Sequence, residues 1–296
     1  MRFGYWMPIF GGWLRNVRDE GMSVAWPYVR DVAVESERHG FELSLIAELN
    51  LNDIKGHRAP SLDCWTLAPA VAAVTERLEL MLAVRPNYHS PALTAKALST
   101  LDTIAPDRLS LNVVSSWWKD EAAQYGAPFD VHDARYARTQ EWLDVVGRLL
   151  REETVTHDGP LYQLAGTVLE PKPARVPPIY MGGESPKAKE VIAQQADAYV
   201  MHGDAPEVIA AKIADLAARR AVAGGAIRPP RRGPGSHRSW AGARRPGGGR
   251  PRLVGSGTPR RHRDGGPRGP PVGTAGPPRR RTEARVGSGS RRSRRG

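Results

Sequence analysis

LELMLAVRPNYHSPALTAKALSTLDTIAPDRLSLNVVSS (residues 78–116) holds one complete strand–helix–strand passage. Residues 78–86 form an apolar run that reads as a strand. Ser90-Pro91 then opens a helix reaching about Ala105, and RLSLNVVSS (108–116) returns to strand. The strands are nearly continuous in apolar residues rather than alternating, which predicts burial on both faces. A helix between two such strands lets them pair in parallel.

The same alternation extends in both directions. RFGYWMPI (2–9) and FELSLIAEL (41–49) read as strands, with a helix over 26–39 between them and another from Pro60 to Thr75. Downstream come a long helix over 134–152, a hairpin excursion over 153–174 turning at Asp158-Gly159, and a strand at 177–183. A helix over 186–196, a strand at 198–203 and a helix over 206–223 complete the series. No glycine-rich dinucleotide loop follows the first strand, so the pattern predicts an α/β (β/α)₈ TIM barrel rather than a doubly wound sheet. Only about six βα units are present, over residues 1–227.

Residues 228–296 differ in kind. They contain 20 Arg and no Lys, with Asp264 and Glu283 as the only acids, and they are otherwise rich in Gly, Pro, Ser and Ala. Such a low-complexity basic tail lacks the apolar residues for a core and is expected to be disordered. Its composition follows GC-rich codons, so a frameshift replacing two further βα units is the expectation; retranslating the other two frames tests it. Residues 1–227 hold 23 basic and 29 acidic side chains, a net of −6, so the whole positive excess, a net of +18, lies in the tail. Nucleic-acid binding through that tail is therefore a minor alternative, set against the lack of lysine and the single aromatic, Trp240.

Cys64 is the only cysteine, which precludes an internal disulfide and suits a reducing, cytoplasmic setting. No stretch approaches the ~18 uninterrupted apolar residues of a membrane span.

Chemistry in a barrel sits where strands end. Those ends carry Trp6, then Glu48 with Asn50, Arg85 with Asn87 and His89, and Asn112 through Trp118. Gly182, Gly183, Ser185 and finally His202 follow. None of this has metal-ligand spacing. In GGESPKAKE (182–190), Ser185 is placed to cap the next helix and Pro186 suits its first turn. The exposed N–H groups there favour an anion such as phosphate, although an ordinary capped helix needs the same residues. SSWW (115–118) sets two indoles at a strand exit, as the wall of an apolar site or as core.

RLSLNVVSSWWKDEAAQYG, HDARYARTQEWLDVV and PIYMGGES together resemble the bacterial-luciferase-like flavin-dependent monooxygenases, closest to the dimethyl sulfone and alkanesulfonate monooxygenases. YWMPI, AVRPNYHSPALTAKALSTLD and LEPKP fit the same pattern. The resemblance implies a barrel that binds reduced FMN, which reacts with O₂ to a flavin C4a-(hydro)peroxide. Under it, Ile46, Ala47, Asn112 and Glu121 fall at the flavin, and Arg135, Tyr136 and Ser185 at its phosphate. Trp117 and Trp118 would exclude water, with Ser115 and Ser116 offering hydrogen bonds to the flavin edge or peroxide. Arg85 would bind an anionic sulfonate or hold a loop carboxylate. His89 would donate to the peroxide or lead into a helix, and His57 would sit on a covering loop. A small organosulfur substrate, a separate NAD(P)H:FMN reductase and a homo-oligomeric intact enzyme are further implications. A deazaflavin (F420)-dependent oxidoreductase of the same fold is the alternative. The family places further substrate-gripping side chains on the last two strands, which have no counterpart here.

Overall fold

The computed structural model describes residues 2–224. The basic tail expected from residue 228, and any nucleic-acid binding through it, lie outside the described residues.

Six strands form one parallel sheet in the order β1 (Gly4–Trp6), β2 (Leu43–Ile46), β3 (Glu79–Val84), β4 (Leu109–Val113), β7 (Ile179–Gly182) and β8 (Ala198–Val200). Helices α1 (Trp26–Arg38), α2 (Cys64–Val74) and α3 (Pro91–Ile104) link the first four strands. Between β4 and β7 lie the short α4 (Lys119–Gln124), the long α5 (His132–Leu149) and an antiparallel hairpin, β5 (Thr154–Asp158) with β6 (Gln163–Val168). Helix α6 (Pro186–Gln195) joins β7 to β8, and α7 (Pro206–Val222) follows. The hairpin over 153–174 and every βα unit fall where the sequence places them. Helix α4 was not anticipated, because six residues carry no apolar period.

Register separates the two faces of the sheet, because paired residues in a parallel ladder share a face and neighbours alternate. Ile46, Leu82 and Leu111 align across three strands, as do Val84, Val113 and Met181. All six are buried in one apolar cluster with Val29, Leu67, Val71 and Leu98 from the helices. The other face carries Trp6, Leu45, Met81, Ala83, Ser110, Asn112, Tyr180 and Gly182, related by the same registers. That face is the interior of the expected barrel. Among the described residues β1 and β8 are its edges and the sheet does not close.

The helix starts follow local chemistry. Asp63 caps α2 by accepting from the Thr66 N–H at 2.7 Å, which moves the start from the expected Pro60 to Cys64. Ser185 caps α6 by accepting from the Ala188 N–H at 3.1 Å, with Pro186 in the first turn.

Candidate active site

The C-terminal strand ends present three groups of side chains. The first is a buried ionic knot. Arg85, at the end of β3, is 1% exposed, and Glu121 on α4 is fully buried. Arg85 Nη1 donates to Glu121 Oε2, and Nη2 reaches Oε1 at 3.2 Å. Glu48, beyond β2, accepts the Arg85 backbone N–H at 2.7 Å, and its Oε2 lies 3.5 Å from Nε. Glu121 Oε1 also accepts from the N–H groups of Asn50 (2.5 Å) and Leu51 (3.2 Å). Its Oε2 accepts from the Tyr88 hydroxyl at 3.3 Å. The knot therefore ties together the loops that leave β2, β3 and β4. Burial, partly offset by Arg85 and reinforced by Glu121, pushes the Tyr88 phenol up to about 12.

Of the two roles expected for Arg85 the geometry matches the second: its guanidinium is buried against two carboxylates on neighbouring loops. Glu121, expected at the flavin, has both oxygens engaged and no exposed surface. Ile46 also turns away from the site: its side chain packs among the helices, and its carbonyl accepts the Cys64 thiol at 3.2 Å. Ala47 is half-buried against the same core. His89 is tied through Nε2 to Glu48 Oε1 and lies 5.3 Å from the Trp65 ring.

The second group is aromatic. Trp117 and Trp118 stack with centroids 5.4 Å apart and planes 9° from parallel. His57 lies 4.9 Å from Trp118 on the far loop, so two βα loops meet in this stack. Trp118 is buried and Trp117 about half exposed.

The third group surrounds the start of α6. Gly183, at φ +146°, has no room for a side chain: a Cβ would lie 2.6 Å from the Ala188 Cβ and 3.5 Å from the Tyr136 hydroxyl. The Tyr136 phenol of α5 thus reaches the loop that Ser185 caps. Tyr199 holds that loop from the other side, donating to the Gly183 carbonyl at 2.9 Å. Arg135, one residue earlier, turns elsewhere. Its guanidinium stacks 4.6 Å over Phe129 and donates to the Asp130 carbonyl at 2.9 Å. Successive helical residues point about 100° apart, so neighbours in DARY serve different places. His132 pairs locally with Asp133 at 2.6 Å, as a helix entry would.

Between these groups, Asn112 Oδ1 is buried on the interior face with no hydrogen-bond partner among the described residues. Thr139 Oγ1 donates to the Arg135 carbonyl at 2.9 Å and accepts from the Ser115 hydroxyl at 2.9 Å, a contact the sequence does not signal, although Thr139 stands one turn beyond Arg135. Ser116 is buried at φ +52°. Among the described residues no group of three or more His, Cys, Asp or Glu could hold a metal ion, and no helix is long and apolar enough to cross a membrane. A cavity of about 520 Å³ lies away from all of these residues, at the β1 edge among Trp6, Trp13, Met22 and Tyr28.

The strand ends and the loops after them thus carry an open phenol beside a capped, glycine-led helix start, an unpartnered amide oxygen and an indole pair. In comparison with known proteins, the family model described as luciferase-like monooxygenase matches residues 1–245. The chain belongs to the luciferase-like monooxygenase family. A curated relative, the FMNH₂-dependent dimethylsulfone monooxygenase of Pseudomonas putida, is 32% identical over 232 residues. That match takes in 77% of this chain and 63% of the relative, so the chain spans less than two thirds of its length. Among solved structures, a long-chain alkane monooxygenase aligns with TM-score 0.67 at 23% identity, over 75% of this chain and 61% of that one. An F420-dependent secondary alcohol dehydrogenase aligns with TM-score 0.64 at 20% identity, over 76% and 65%. Both show the luciferase-like fold alone.

Proposed function

We propose that this chain is the FMNH₂-binding part of a two-component monooxygenase acting on a small organosulfur compound such as a sulfone. A separate NAD(P)H:FMN reductase would supply the reduced flavin. The observation that carries this reading is the Tyr136 hydroxyl beside Gly183 and the Ser185-capped start of α6. A phenol, a hydroxyl and the Lys187 N–H left over at a capped helix start suit a phosphate. The residues fit FMN in two further respects. Asn112 Oδ1 offers a buried acceptor for a ring N–H, and an unpaired buried acceptor is costly to leave unmade. Trp118, held between Trp117 and His57, supplies apolar bulk that keeps water from the strand ends.

Bound FMNH₂ would supply the oxygen-activating chemistry, and the protein would bind, orient and dry the site. Ser115 gives its proton to Thr139, whose own proton goes to the Arg135 carbonyl, and so offers the flavin an acceptor oxygen. The P. putida relative supports the sulfone assignment, and the engagement of Arg85 with two carboxylates supports an uncharged substrate over a sulfonate.

Anaerobic titration with FMNH₂ tests the reading. The chain should bind it, and Tyr136→Phe should weaken binding by about 1 kcal/mol, the worth of a hydrogen bond, without changing the affinity for riboflavin, which has no phosphate. Equal loss for both ligands would place Tyr136 elsewhere. The F420 alternative would appear as hydride transfer without oxygen uptake.

A further inference from the structure

Where β4 exits, a second and much smaller cavity of about 10 Å³ is lined by Pro86, Asn87, Ser115, Ser116, Arg135, Arg138 and Thr139. Three of these residues each carry a buried polar atom with no partner among the described residues: Asn87 Oδ1, Ser116 Oγ and Arg135 Nε. Ser116 is itself only 7% exposed. A volume of ~10–15 Å³ is what one water centre occupies.

We propose that this cavity is a binding site for a single structural water, which accepts from Arg135 Nε, donates to Asn87 Oδ1 and pairs with the Ser116 hydroxyl. The chemistry selects water over an anion. Asn87 Nδ2 donates to the Pro128 carbonyl at 3.2 Å, which fixes the other end of that amide as an acceptor. An anion would face that acceptor, whereas water both gives and receives. Arg138, the other cation on the wall, is already paired with Asp130 at 2.7 Å.

The site explains a strained residue. Ser116 sits at φ +52°, where a side chain is disfavoured and persists only if its surroundings fix it. The water would bind Ser116 to the β3–α3 loop and to α5. It would thereby set the direction in which Trp117 and Trp118 leave the strand. This holds whatever the interior face binds.

A crystal structure of the full chain, at a resolution that shows ordered solvent, tests the proposal. One water within hydrogen-bonding distance of all three atoms supports it; a dry cavity, an anion, or the three atoms turned to other partners overturns it. Asn87→Leu, close in size but without the acceptor, should lose that water. It should also speed amide hydrogen exchange over residues 115–118, while Ser44→Ala, another buried unpaired hydroxyl far along the sheet, leaves those residues unchanged. Unaltered exchange in Asn87→Leu would mean that no water braces the loop.

Discussion

Arg85 is the residue on which the strand ends depend. It stands between Glu48 and Glu121, so removing it leaves two buried carboxylates facing one another without a cation. Breaking such a buried pair by deleting one partner costs about 3–5 kcal/mol. Arg85→Met should therefore lower stability to urea by that order. The triple replacement Arg85→Met, Glu48→Gln and Glu121→Gln should recover much of the loss, since it strands no charge and keeps amide oxygens to accept from the N–H groups of Asn50, Leu51 and residue 85. A single variant as stable as the parent would show that the knot contributes nothing. Cys64 makes a contrasting case: burial, then Glu48 and Asp63, raise its thiol well above the ordinary range. The thiolate is the reactive form, so iodoacetamide should label Cys64 only after unfolding, and labelling of the native chain would contradict the burial. A loop carboxylate was among the partners the sequence offered for Arg85, but which one was not legible. Arg85 and Glu121 are 36 residues apart, and only the folded sheet brings their loops together. By contrast, the Ser185 cap was legible, because a capped helix start is written in adjacent residues, whereas Tyr136 beside it came only from the family resemblance.

At the scale of elements, Glu37 shows how one side chain joins a helix to a distant turn. It lies near the end of α1 and accepts from the N–H groups of Glu76, Arg77 and Leu78, where α2 gives way to β3. Burial works to raise its carboxyl, but the N–H groups of Arg77, Glu76 and Leu78 outweigh it, and the net shift is downward. A folded value below the unfolded one means that the unfolded chain binds the proton more readily. The stabilisation is then complete above the unfolded carboxylate range and is lost as pH falls through the folded value. Glu37→Gln should be less stable than the parent at neutral pH, with the gap closing on acidification. Urea unfolding across pH 3–7 reads this directly, and a gap constant with pH would sink it. Elements of this kind were legible where the period was strong: α3 buries Thr94, Ala95, Leu98, Leu101 and Asp102 along one stripe. Helix α4 was not, since its six residues owe their place to Glu121 and the knot rather than to a pattern of their own.

For the whole molecule the question is what an open parallel sheet does in water. Among the described residues β1 pairs with β2 on one side only, and its other edge presents unpaired backbone. The surroundings are apolar: Phe3 is 61% exposed, Trp6 54% and Phe41 40%, beside the 520 Å³ cavity. Edge strands are normally guarded by charge, proline or a covering helix. Arg2 would be the guard here, but Glu42 and Glu79 already hold it, at 3.2 and 2.7 Å. With only three residues in the strand, backbone pairing alone is weak, and burial of the aromatic side chains would supply most of the drive to associate. The full chain should therefore self-associate with rising concentration in sedimentation velocity. Phe3→Lys, which puts a free cation on that edge without touching the strand ends, should shift the distribution toward monomer. The same charge at Val131, exposed at the start of α5 and outside the β1 strand, should leave association unchanged. If both substitutions act alike, net charge rather than the β1 edge governs association.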